Sequence, residues 1–370
     1  MIRISLCMIV KNEEHTIAAC LDSIREIPDE IVIVDTGSSD RTKELASRYT
    51  DRIYDFEWID NFAAARNYAF SLATMEYILW LDADDQLFDK DKQKLLELKK
   101  SLDPAVDSVA MEYHLAFDHQ GNPAKSCRRN RLVKRINNYK WMGAVHEFLF
   151  LGEKANILYS DIAVSHVKVA PIMQCKMQRN LHIYEKLIAI GEQLSPRDKF
   201  LYADELMFNG FYDRAIEQYI QCLDEAAAGV QYYIEACSKL ASYYHQKGDR
   251  KKELHYLFKS FEYDLPQAEH CCLTGNYFFS HQRWNIAIFW YSLALQLERP
   301  KDAWGLINLY YYTWYPHLQL AICYGKLGML EHAYHHNEIA HSYLPDDSAV
   351  LNNKQILEKH LHPQGEGKQG

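Results

Sequence analysis

The sequence has no apolar run long enough to cross a membrane, so no membrane span is expected. Its first apolar stretch, Ile4-Ser5-Leu6-Cys7-Met8-Ile9-Val10, is too short for a secretory signal and turns polar at once with Lys11-Asn12-Glu13-Glu14. There is no Cys-x-x-Cys pair. The nine cysteines are scattered and odd in number, which argues against a disulfide framework or a zinc site and for reduced thiols in a cytoplasm. Excess positive charge is also missing: the net charge is −9, so no nucleic-acid partner is expected. What remains is a chain of 370 residues, 48% hydrophobic, enough for about two domains with substantial cores.

The first half alternates strand-like and helix-like segments. Ile4 to Val10 reads as a buried strand, followed by Ile17, Cys20, Leu21 and Ile24 at helical spacing. Glu30-Ile31-Val32-Ile33-Val34 is a second strand, ending in Asp35-Thr36-Gly37-Ser38-Ser39-Asp40, with Asp40 as the expected N-cap of a short helix. A third strand is expected at Arg52-Ile53-Tyr54 and a helix from Asn61 to Leu72, carrying Arg66 and Asn67. Tyr77-Ile78-Leu79-Trp80-Leu81 then runs abruptly into Asp82-Ala83-Asp84-Asp85. Alternation of this kind implies a parallel α/β sheet, whose ligands bind beyond the carboxyl ends of the strands. Asp35, Arg66 and the Asp82–Asp85 cluster can thus share one rim. Two carboxylates one residue apart can hold a hard divalent cation and leave room for phosphate oxygens. A solvated loop is the plain alternative for an isolated Asp-x-Asp.

Here it is not isolated. Met8-Ile9-Val10-Lys11-Asn12-Glu13-Glu14, Val34-Asp35-Thr36-Gly37-Ser38-Ser39-Asp40-Arg41-Thr42, Ala65-Arg66-Asn67 and Leu81-Asp82-Ala83-Asp84-Asp85 resemble, in order and spacing, the family-two inverting glycosyltransferases of GT-A fold. Bacterial peptide S-glycosyltransferases with a helical-repeat tail are similar further on, through Trp141-Met142-Gly143-Ala144-Val145-His146-Glu147, the His166 segment and Arg179-Asn180. The resemblance implies a UDP-sugar donor and Mn²⁺ or Mg²⁺. It implies a nucleotide-sugar site of Val10, Asn12, Glu13, Asp35, Arg66, Asp82, Ala83 and Asp84. Asp35 would accept from the uracil imide, or merely cap its turn. Asp82 and Asp84 are the expected metal pair, with Asp84 the direct ligand, Asp82 also at the ribose and His166 completing the metal or diphosphate site. Glu147 is the expected general base, with His146 the other candidate. Adjacent side chains on an extended segment point opposite ways, so only one of the two is expected to face the sugar. The basic run Lys125, Arg128, Arg129, Arg131, Lys134, Arg135 and Lys140 reads as a solvated loop, with contact to phosphate or an acidic acceptor as the alternative.

The second half changes character. From about Ser195, strand signals stop and Tyr, Ala, Leu and His recur at helical spacing. Turns at Asn209-Gly210, Lys247-Gly248, His281-Gln282 and Leu327-Gly328 each precede a small residue or its substitute and then an aromatic. This resembles tetratricopeptide helix pairs. The expected organisation is an α/β GT-A domain over residues 1–194, all-α tetratricopeptide-like repeats over 195–360, and a disordered tail over 361–370. The implied activity is transfer from a UDP-sugar to a Cys, Ser or Thr side chain of a peptide or protein, with a glycocin-type peptide favoured. The alternatives are transfer to lipopolysaccharide core or cell-wall glycan, or a non-catalytic repeat scaffold. A homodimer through the repeats is a further expectation.

Overall fold

Strand β1 (Ile4–Val10) alternates cleanly: Ile4, Leu6, Met8 and Val10 pack into one core, whereas Cys7 packs into another with Val32 and Val34. Both faces are covered, so the strand is buried almost throughout. The computed structural model that shows this describes residues 1–167, 173–225, 229–300 and 304–361. Around β1 run α1 (Ile17–Ile24), β2 (Glu30–Asp35), α2 (Thr42–Ala46), β3 (Ile53–Asp55), α3 (Phe62–Leu72) and β4 (Tyr77–Trp80). The four strands are parallel in the order β3-β2-β1-β4, as their alternation with helices implied. Asn61 caps α3, its Oδ1 accepting from Ala64 N. Asp40 does not cap α2, which has Arg41 at that position; its Oδ1 accepts instead from Thr42 N and Oδ2 from Glu14 N.

The sheet then stops being parallel. After β5 (Asp85–Gln86), α4 (Asp89–Ser101) and β6 (Ser108–Phe117), β7 (Pro123–Lys134) lies antiparallel to both β4 and β6. β8 (Lys140–Met142) and β9 (Phe148–Phe150) form a small hairpin, and β10 (Ile157–His166) returns to the sheet beside β6 and β5. The path is β3-β2-β1-β4-β7-β6-β10-β5. The basic run is therefore not a solvated loop. Its greater part forms β7 inside the sheet; Arg131 there is fully buried and Arg128 pairs with Glu112 at 3.1 Å.

Helices α5 (Met173–Ala189), α6 (Pro196–Phe208) and α7 (Tyr212–Asp224) follow. Ser195 caps α6 through Asp198 N, with Pro196 in the first turn, where its missing N–H costs nothing. The chain divides into two compact units, Met1–Gln218 with Asp302–Leu306, and Tyr219–Lys301 with Ile307–Gly370. The change of composition near Ser195 thus falls within the first unit, which keeps α5 and α6.

The second unit contains α8 (Val230–Gln246), α9 (Arg250–Lys259), α10 (Ala268–Ser280), α11 (Trp284–Ala294), α12 (Trp314–Lys326), α13 (Leu330–Tyr343) and α14 (Ser348–Leu361). The α8–α9, α10–α11 and α12–α13 hairpins resemble tetratricopeptide helix pairs. Their turns share one device, a residue with positive φ: Gly248 at 74°, Gln282 at 57° and Gly328 at 72°. The copy without glycine keeps the left-handed turn through Gln282. Small residues sit where helices meet, Ala287 and Ala333 both fully buried. Cys271 and Cys272 are both buried, as are the other six cysteines with described side chains. No helix among the described residues is long and apolar enough to cross a membrane. The tail expected to be disordered lies, from residue 362 on, outside the described residues.

Candidate active site

The carboxyl ends of β1 and β2 form one wall. Asp35 is buried; its Oδ1 accepts from Gly37 N at 2.9 Å and Ser38 N at 2.8 Å, a turn that Gly37 closes with φ +99°. Its Oδ2 is buried with no hydrogen-bond partner. Asp35 therefore caps its turn and also keeps one acceptor unused. The two loops are stitched together: Asn12 Oδ1 accepts from Ser39 N at 2.8 Å, Ser38 Oγ accepts from Asn12 N at 2.9 Å, and Thr42 Oγ1 accepts from Glu13 N at 2.7 Å.

The acidic cluster beyond β4 is divided by its partners. Asp82 Oδ1 accepts from Arg66 Nη2 at 2.7 Å. Asp85 pairs with Arg131 at 2.9 Å, and its Oδ2 accepts from Asp82 N at 3.0 Å. Asp84 Oδ1 lies 3.5 Å from His166 Nδ1, which also stands 3.4 Å from the Tyr113 hydroxyl. Burial works against ionisation of Asp82, but Arg66 and Arg131 outweigh it and hold the carboxyl below its ordinary value. Burial pushes Asp85 up to about 6, with Arg131 opposing and the charges of Asp82 and Asp84 assisting. The hydrogen bond to Asp84 raises His166 against its burial. Asp84, Asp85 and His166 can each turn one ligand atom into a group within 4.8 Å. Asp82, committed to Arg66, is not in that group.

Beneath the cluster, rings and guanidinium groups alternate. Arg66 lies 4.8 Å from the Trp141 ring and 4.9 Å from Trp80; Arg131 lies 3.9 Å from Trp80 and 4.4 Å from Tyr113. Two buried cations are thereby held by aromatic faces as well as by carboxylates.

The far wall is the loop between β8 and β9. Asn67 of α3 grips Trp141 both ways, Nδ2 donating to its O and Oδ1 accepting from its N, each at 3.0 Å. Phe62 N donates to Ala144 O at 2.9 Å. Glu147 Oε1 accepts from Arg66 Nε at 2.6 Å. His146 has φ +52° and its Nε2 lies 2.7 Å from Glu205 Oε1. The segment is not extended at His146, so the expected alternation fails and both His146 and Glu147 line the cavity.

That cavity is about 550 Å³. Val10, Asn12, Glu13, Arg66, Asp82, Ala83, Asp84 and His166 line it together with His146 and Glu147. Of the residues expected to form the nucleotide-sugar, metal and catalytic site, Asp35 alone is off the wall, where its neighbour Thr36 stands. Sequence reasoning missed Tyr113 and Glu205 and misplaced Arg131 in a solvated loop. Arg131 carries a signal, a cation directly before Leu132-Val133 in a strand. Glu205 does too, an acid at helical spacing among Tyr202, Ala203 and Leu206, all buried.

Residues 5–151 match the family described as Glycosyl transferase family 2. A TPR repeat-containing protein of Synechococcus elongatus is 34% identical over 149 residues, 40% of this chain and 36% of that protein. The SPbeta prophage-derived glycosyltransferase SunS of Bacillus subtilis is 28% identical over 213 residues, 54% of this chain and 48% of that protein. The chain therefore spans less than half the length of either relative. Among solved structures, glucosyl-3-phosphoglycerate synthase of Mycobacterium tuberculosis, in complex with Mn²⁺ and uridine-diphosphate-glucose, is 14% identical, with a TM-score of 0.35 over 53% of this chain and 81% of that one.

Proposed function

We propose, from the family 2 glycosyltransferase domain of residues 5–151, that the chain is an inverting transferase moving a sugar from a UDP-sugar to a side chain of a peptide or protein. The observation carrying this is the single cavity that joins the strand-end loops, the acidic cluster and the His146–Glu147 loop. The unused Oδ2 of Asp35 suits a nucleobase N–H reached beside Thr36. Arg66, pinned by Asp82 and Glu147, places positive charge beside a diphosphate.

The donor set fits a hard divalent ion: carboxylate oxygens of Asp84 and Asp85 with the His166 imidazole, including a buried Asp85 Oδ1 that lacks a hydrogen-bond partner. Mn²⁺ or Mg²⁺ held there would neutralise charge developing on the departing diphosphate. The chain's own groups do the rest. Arg66 stays charged and orients the diphosphate from a site that needs no reorganisation. The Val145-His146-Glu147 segment supplies the acceptor for the proton released as the nucleophile attacks. The peptide acceptor rests on the resemblance to peptide S-glycosyltransferases, and the repeats are its expected holding surface.

The test is a panel of UDP-sugars with Mn²⁺, read by intact mass on candidate Cys- and Ser-containing peptides. A mass gain of one hexosyl or N-acetylhexosaminyl group on a peptide supports the reading. UDP release with no sugar on any peptide would move the acceptor to a glycan, and no UDP release at all would remove the activity.

A further inference from the structure

We propose that His146 is the group that takes the acceptor's proton, and that Glu205 of α6 is the positioning residue that fits it for that step. This rests on the transfer reaction proposed above. Glu205 is an acid 4% exposed, at a cost that only specific partners offset. Its Oε1 receives two donors, His146 at 2.7 Å and Asn180 Nδ2 at 3.0 Å, while its Oε2 is buried with no hydrogen-bond partner. A carboxylate accepts, so the proton on this bond belongs to His146 Nε2. The other nitrogen, Nδ1, then carries the lone pair. No described group bonds to it, and the imidazole is 37% exposed at the cavity wall.

The backbone supports this reading. A non-glycine residue at φ +52° is strained and persists only where its surroundings impose it. Here Arg197 Nη2 donates to the His146 carbonyl, and Gly143, at φ +91°, opens the loop. Without the left-handed residue, His146 and Glu147 would point apart. Glu147, by contrast, is 11% exposed and gives its Oε1 to Arg66 at 2.6 Å. It is the counter-ion of Arg66, whereas His146 has a free nitrogen and a dedicated carboxylate behind it. Glu205 lies outside residues 5–151, so this part of the site comes from the helices that follow.

The step balances. The acceptor O–H or S–H gives its proton to His146 Nδ1 as its lone pair forms the bond to the anomeric carbon. The bond from that carbon to the β-phosphate oxygen breaks, and its electron pair leaves with UDP. The imidazolium that results faces the Glu205 carboxylate and returns its proton to solvent.

The probe is UDP release from UDP-glucose and UDP-N-acetylglucosamine with Mn²⁺, water serving as acceptor. His146→Gly keeps the loop, because glycine accepts φ +52°. Its kcat is expected to fall about 100-fold or more, and added imidazole to restore at least a tenth of the loss. Glu205→Gln is expected to lower kcat about 10- to 100-fold with KM for the donor unchanged. The double variant should be no slower than His146→Gly, because Glu205 acts only through His146. Ring ¹⁵N shifts should place the proton on Nε2 in the parent chain. Wild-type kcat in His146→Gly, a loss that imidazole leaves untouched, additive losses, or a proton on Nδ1 would each overturn the inference. If the parent chain releases no UDP, the proposed function fails instead, and the ¹⁵N result still decides whether Glu205 sets the tautomer.

Discussion

Arg131 and Asp85 form an ion pair at 2.9 Å in which neither side chain reaches solvent. Their strands, β7 and β5, are separated in the sheet order by β6 and β10. The pair fixes the end of the acidic cluster, since Asp85 also receives Asp82 N. Arg131 Nε and Nη2 have no hydrogen-bond partner and instead meet the faces of Trp80 and Tyr113.

Removing one partner of such a pair strands the other charge. Arg131→Met is expected to cost about 3–5 kcal/mol in unfolding free energy. Adding Asp85→Asn should return part of it, because the stranded carboxylate is gone. Urea unfolding of the two variants checks this; equal stability of the parent and Arg131→Met would contradict it.

Asp84 lies at the exit of β4, outside the core, so Asp84→Asn should fold normally. Calorimetric titration with UDP should show affinity that rises with Mn²⁺ in the parent chain and little metal dependence in the variant. Transfer should be nearly abolished. Equal metal dependence in both would remove Asp84 from the metal set.

Gly275 is packed against Tyr291, and a Cβ there would lie 2.6–2.9 Å from three ring atoms. Alanine favours a helix by about 1 kcal/mol over glycine. Overpacking costs about 1–3 kcal/mol and is the larger effect. Gly275→Ala should therefore destabilise the helical repeats, and Tyr291→Leu in the same chain should absorb most of that loss. A more stable Gly275→Ala chain in thermal unfolding would mean that the α10–α11 contact yields.

His270 is buried, and that burial lowers it from 6.5 to about 4. Its Nε2 faces the Ile234 carbonyl, and its Nδ1 has no partner. The folded state thus holds a neutral imidazole more tightly than the unfolded chain does. The stabilisation is complete above pH 6.5 and is lost as pH falls towards 4, a total of about 3 kcal/mol. His336, lowered to about 4 by burial and then by His317, His335 and His332, adds to the same slope. His270→Gln should flatten the dependence of unfolding midpoint on pH between 6.5 and 4; an unchanged slope would acquit His270.

Much of this was legible before any coordinates. Val10 and Asp35 end strands because apolar β-formers give way to loop residues there, which is local information. The repeats were legible for the same reason: a left-handed turn followed by a small residue is a short-range pattern. Arg131 was misread because its face of β7 depends on pairing with β4 and β6, not on its neighbours in the basic run. The alternation expected at His146 failed because a positive φ there is imposed from outside the loop.

The sequence by itself determined the strand ends, the order of the acidic and basic motifs and the helical repeat, since each is written in periodicity over ten residues or so. Only the tertiary structure decided who pairs with whom. Arg66 meets Glu147 across 81 residues, and His146 meets Glu205 across 59. Such pairings depend on sheet register and on where a later helix docks, and no local propensity encodes either.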